Sequence, residues 1–145
     1  MRLNATFANF LFIRIIRPQI WIAILGLSFA IALTGCASEV VRYGAVLKPQ
    51  TKVVGASVIV IAEDTLIALE TGYSRTLPRG SKWAWIGTIP EGDVYKPLEI
   101  VFTVEGAHVH EAYIVVNQGT LVGFYLPVEK AFSPLSSKYL LKLTQ

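Results

Sequence analysis

The chain has one cysteine, Cys36, and two histidines, His108 and His110, and outside residues 1–35 it carries no excess of charge. Each shortage closes a class of explanation. One thiol cannot form an intramolecular disulfide, so stability must come from apolar burial and backbone pairing. Two histidines cannot build a three-histidine metal site. The only aspartates, Asp64 and Asp93, fall in turn-like sequence, and no G-x-S-x-G elbow occurs, so nucleophilic catalysis has no candidate residues. The glycines are scattered through turns and none opens a helix after a strand, which leaves no phosphate-binding loop. There is no internal repeat and no low-complexity run.

Charge is distributed unevenly. The formal net charge is +3, but Arg2, Arg14 and Arg17 precede the first acidic residue, Glu39, and account for all of it. The remainder carries ten Lys and Arg against ten Asp and Glu and is neutral, so the pI of about 9.1 reflects the leader and gives no support to nucleic-acid binding. Between Ile20 and Leu33 no charge occurs. As a helix, those residues would rise about 21 Å at ~1.5 Å each, short of a hydrocarbon core of ~30 Å. Basic residues before a short apolar run predict that the rest of the chain is exported. An uncleaved anchor would have to extend back past Arg14, Arg17 and Pro18, and arginines inside a span are costly.

The run ends at Leu33-Thr34-Gly35-Cys36, which resembles the lipobox of bacterial lipoproteins. The resemblance covers only the leader. It implies that residues 1–35 are a cleaved signal peptide and that Cys36 becomes the N-terminus, carrying diacylglycerol and fatty acyl groups such as palmitate. It also implies a membrane-lipid partner, since several acyl chains anchor durably where one does not. Ala37 stands where an aspartate would favour inner-membrane retention, which points to the periplasmic face of the outer membrane and to an envelope protein as partner. No other cofactor is expected.

Residues 36–145 suffice for one domain with a modest core. Residues 36–52 read as the lipidated cysteine and a tether of roughly 50 Å at ~3.3 Å per residue, with one short strand at Val40 to Tyr43 and an interruption at Pro49. Residues 53–145 read as a single β domain. Ser57 to Ile61 is β-branched and apolar on both faces. Thr65 to Thr71 suits a strand in a hairpin with the preceding one rather than a short helix capped by Asp64. Leu77-Pro78-Arg79-Gly80 is a turn, and Ser81 to Ile89 a strand with Trp83, Trp85 and Gly87 on one face. Leu98 to Val104 alternates, with Ile100, Phe102 and Val104 inward. His108 to Val116 and Thr120 to Leu126 form a hairpin around a three-residue Asn117-Gln118-Gly119 loop. Ala131 to Ser137 reads as loop around Pro134, and Lys138 to Leu143 as a final strand. Six to eight such strands predict an all-β, antiparallel sandwich or small barrel.

Three groups of residues are candidates for chemistry. On a strand, His108 and His110 would lie on one side, ~6.7 Å apart at ~3.3 Å per residue, a spacing suited to gripping one metal ion, with Glu105 joining from the turn. Glu111 would face away. Trp83 and Trp85 could form an aromatic platform for a sugar or peptide, with Tyr95 and Tyr113 nearby. The run Gly123 to Glu129, if it lay at a sheet edge, could accept a partner strand.

Overall fold

In a computed structural model of the chain, residues 38–49 and 57–144 are described. The expected signal peptide, the lipobox-like tetrapeptide, Cys36 and the start of the expected β domain at residues 53–56 lie outside them. The described chain is all-β and antiparallel. Its strands are β1 (Tyr43–Gly44), β2 (Lys48–Pro49), β3 (Val58–Ile61), β4 (Thr65–Ala68), β5 (Ser74–Leu77), β6 (Lys82–Ile89) and β7 (Gly92–Pro97). They continue as β8 (Thr103–Glu105), β9 (Val109–Glu111), β10 (Tyr113–Asn117), β11 (Thr120–Leu126), β12 (Ala131–Leu140) and β13 (Leu143–Thr144). Several are only two to four residues long, so the architecture is cut into more pieces than the sequence suggests.

One sheet runs in the order β1-β12-β11-β10-β7-β6-β3-β13, with β2 also on β6; β4-β5 and β8-β9 are separate two-stranded hairpins. The large sheet is curled. β12 and β13 belong to one stretch of chain, yet β12 pairs with β11 while β13, three residues on, pairs with β3 at the other side of the sheet. At the far end of the sheet, β1 pairs with β12 and β2 with β6. Gly44 and Lys48 are four residues apart, a reach of at most ~14 Å at ~3.6 Å per residue. The five strands from β12 to β6 would span about 19 Å if flat, at ~4.8 Å per gap. Two short connections therefore hold the sheet's edges together, which gives a sandwich-like body.

Both faces of the central strands are buried. On one, Ile59, Ile61, Trp83, Ile114, Leu121 and Phe124 meet Ile67 and Leu77 of the β4-β5 hairpin and Phe102 and Val104 at β8. Trp83 stands edge-on to Phe102, with ring centroids 5.5 Å apart, and Phe102 lies 5.8 Å from Phe124. On the other face, Ile89, Val94, Tyr113, Val115, Tyr125 and Phe132 are covered by Ala45 and Leu47. The segment expected as a free tether is therefore a strap. It supplies two strands, buries Val40 in the first core, and forms a regular pair across Pro49, whose missing N–H is tolerated because β2 is only two residues long.

The strap's close approach to β6 depends on Gly87. Its φ is +152°, and a Cβ there would collide with the Lys48 carbonyl and come within 3.0 Å of the Pro49 Cα. The β6-β7 register slips at the same place, between Trp85 and Gly87. That bulge ends the alternation expected along Ser81 to Ile89: Trp83 faces the first core, while Ile86 and Ile89 serve the second.

Other local expectations change for identifiable reasons. β4 is a strand, but it pairs with β5 through the Leu69–Tyr73 turn and not with β3. β3 alternates, burying Ile59 and Ile61 while leaving Val58 exposed. Of the Leu98 to Val104 run only its end is strand, with Phe102 and Val104 buried and Ile100 exposed. Asn117 pairs with Thr120, so that hairpin has a two-residue loop, Gln118-Gly119. Both have positive φ, +49° and +78°, the geometry of a type I′ turn whose twist suits a hairpin. The expected loop over Ala131 to Ser137 is instead strand: β12 runs through Pro134, with Ala131 to Pro134 paired to β11, and an irregularity follows before Leu121 pairs with Tyr139. β11 lies between β10 and β12 and offers no free edge for a partner strand.

Candidate functional site

The polar groups that converge lie at the tip of the β8-β9 hairpin. In this pair Val104 stands opposite His110, and Glu105 opposite Val109. Opposed residues share a face, so His110 follows Val104 inward and is only 7% exposed. Glu105 and Val109 go to the other face. His108 falls in the loop before β9 and is exposed. The two histidine rings sit 6.5 Å apart and nearly perpendicular, with His108 off the strand that the sequence predicts for it.

Glu105 does not join them. Its carboxylate lies 3.3 Å from Arg75, whose guanidinium also sits 5.4 Å from the centre of the Phe102 ring. His110 is engaged instead by Glu129, in the turn between β11 and β12, with Oε1 2.5 Å from Nδ1. An ionised carboxylate can only accept, so Nδ1 carries the proton in this contact. The opposite ring nitrogen, Nε2, lies 4.0 Å from Oε1 of Glu39, which itself accepts a 2.8 Å hydrogen bond from Arg42. Nε2 is buried without a hydrogen-bond partner among the described residues. A chain of polar contacts thus runs from Arg42 through Glu39 and His110 to Glu129. Among the described residues no group of three His, Cys, Asp or Glu side chains is arranged to hold a metal ion.

Glu129 ionises more readily than an ordinary glutamate. Burial is the largest single influence and opposes ionisation, but it is outweighed by the hydrogen bond from His110, the backbone hydrogen bond and the positive charges of His110 and Arg42. Nothing local in the sequence announces this pair, because Glu129 is nineteen residues from His110.

The N-terminal segment is fastened at the same tip. The Ala107 N–H donates to the Ser38 carbonyl at 3.0 Å, and the Thr71 hydroxyl donates to the Glu105 carbonyl at 2.6 Å. Val40 and Val41 line a small open cleft of about 20 Å³ together with Val104, Phe124 and Ser133.

The tryptophans do not form a platform. Trp83 is fully buried, its Nε1 donating to the Ser81 hydroxyl at 3.0 Å, so it presents no face to a ligand. Trp85 is half-buried opposite Tyr95, and its Nε1 has no partner among the described residues. Comparison with protein families, with curated proteins and with solved structures finds no match to this chain.

Proposed function

We propose that this protein is a lipid-anchored component of the cell envelope, acting as an interaction module on the periplasmic face of the outer membrane. One observation carries the reading: a short uncharged run, preceded only by basic residues, ends in Leu33-Thr34-Gly35-Cys36. The role is non-enzymatic on sequence grounds, since the one thiol is committed to lipid and no other nucleophile stands in an activating motif. The test is metabolic labelling with a fatty acid in the organism's own membranes. Wild type takes up label and Cys36→Ser does not; equal labelling of both, or unprocessed protein in the cytosol, refutes the anchor.

A second reading, ligand or metal binding at His108 and His110, is favoured by the unpartnered Nε2 of His110 lying 6.5 Å, ring to ring, from His108. It predicts that zinc, copper or nickel raises the melting temperature of residues 37–145 and that His108→Ala removes the effect. Indifference to all three metals refutes it. The tryptophan form of this alternative falls with the burial of Trp83.

A further inference from the structure

We propose that the β body sits directly on the phospholipid bilayer, held there by the short link to Cys36, with the tips of the β8-β9 hairpin and the β11-β12 turn against the headgroups. This rests on the lipid anchor proposed above and adds what the anchor does to the body. Acyl chains on Cys36 hold that residue at the membrane interface. Only Ala37 separates it from Ser38, so the two α-carbons are at most ~7 Å apart, at ~3.6 Å per residue. Ser38 is itself fixed, its carbonyl 3.0 Å from the Ala107 amide at the hairpin tip, and Val40 is locked into the core two residues on. No slack remains to lift the body away.

The surface at that end suits an interface. Val109 is 66% exposed at the start of β9, and Val128 is 76% exposed in the β11-β12 turn. The His110–Glu129 contact brings β9 and the β11-β12 turn together, and Val109 and Val128 are the chain neighbours of that pair, with Val109 on the hairpin face away from His110. Val41, 45% exposed, adds a third exposed apolar side chain in the anchored segment. The Gln118-Gly119 turn lies at the other end of β11 from the Pro127–Lys130 turn and should stay in water.

The test uses the full chain, expressed with its leader. Because Cys36 is the only native cysteine and its sulfur would be acylated, a cysteine introduced at one site takes a fluorescent label alone. Val109→Cys, Val128→Cys and Gln118→Cys are each labelled with bimane and placed in phosphatidylethanolamine/phosphatidylglycerol vesicles containing headgroup-region nitroxide lipid. Labels at 109 and 128 are expected to lose about half their fluorescence or more, as residues within the headgroup layer would, while the label at 118 is unchanged. A Gly-Ser spacer of about twelve residues between Ala37 and Ser38, with a mean span of roughly 20 Å, brings the signal at 109 down to that at 118. Protein that carries the acyl mass and floats with vesicles but shows equal signals at all three sites overturns the seating and leaves the anchor intact. Shielding of 109 from aqueous iodide without lipid quenching assigns the patch to a protein and also overturns it. Protein with no acyl mass that does not float overturns the anchor and the seating together.

Discussion

Replacing Val40 by alanine separates a strap from a tether. In a free tether, a Val→Ala change costs nothing beyond the ±0.5 kcal/mol typical of exposed sites. Here Val40 is 6% exposed and belongs to the main core. Removing two methyl-sized groups loses about 1.6 kcal/mol at ~0.8 kcal/mol each, and incomplete collapse of the space brings the cost to about 2 kcal/mol. For a body of this size that lowers the melting temperature by roughly 8 °C, at ~4 °C per kcal/mol. Val46 supplies the internal control: it lies in the same segment, has the same chemistry and is 81% exposed. Thermal melting of residues 37–145, followed by circular dichroism, should therefore show a drop in Val40→Ala and none in Val46→Ala. Equal melting temperatures for the two variants and the wild type would mean that the segment is not packed, and the short link between anchor and body would go with it.

The Glu129 carboxyl has a pKa below its ordinary 4.5, so it contributes stability that is fully present above pH 4.5 and is lost as pH falls through the lower folded-state value. Glu129→Gln should cost about 1–3 kcal/mol at neutral pH, the range for hydrogen bonds to charged groups and unsatisfied buried partners. The difference from wild type in urea denaturation should shrink as pH falls below 4.5; a difference that grows over that range refutes the assignment. Gly87→Ala places a methyl against the Lys48 backbone at a φ of +152° and should cost at least about 1–3 kcal/mol in the same assay; a cost of only a few tenths refutes both the backbone conformation and the contact with β2.

The all-β class was legible because β-branched and aromatic runs are punctuated by glycine, proline and asparagine, and because the Asn117 to Thr120 hairpin carries its turn chemistry in its own residues. What escaped depends on pairing between segments remote in sequence. Nothing around Gly87 reveals that a strand from residues 48–49 will press on it, so the bulge that turns Ile86 and Ile89 toward a second core could not be placed. The strap was missed for a related reason. Val40, Ala45 and Leu47 have no regular spacing, and their burial depends on remote partners: Val40 packs into the first core, while Ala45 and Leu47 cover the second. At the candidate site, period-two alternation put both histidines on one strand face, whereas His108 falls exposed in the loop before β9 and only His110 turns inward. Only the register of β8 against β9 shows that His110 faces inward to Glu129 while Glu105 turns outward to Arg75.

That same register bears on how an anchored body meets a partner. A sixteen-residue tether would let the body wander over roughly 20 Å and turn freely, so any of its faces could engage. A link of about 7 Å removes most of that freedom. On the proposed seating, the end carrying His110, Glu129 and Val109 is committed to lipid, and the end formed by the Pro90-Glu91 and Gln118-Gly119 turns is presented outward. Those two turns are tied to each other by the Asn117 side-chain amide donating to the Glu91 carbonyl at 3.1 Å, so they lie side by side. Under that geometry a partner gains from a preformed site and loses little ordering entropy, and substitutions that weaken its binding should concentrate at the two turns rather than at the histidine pair.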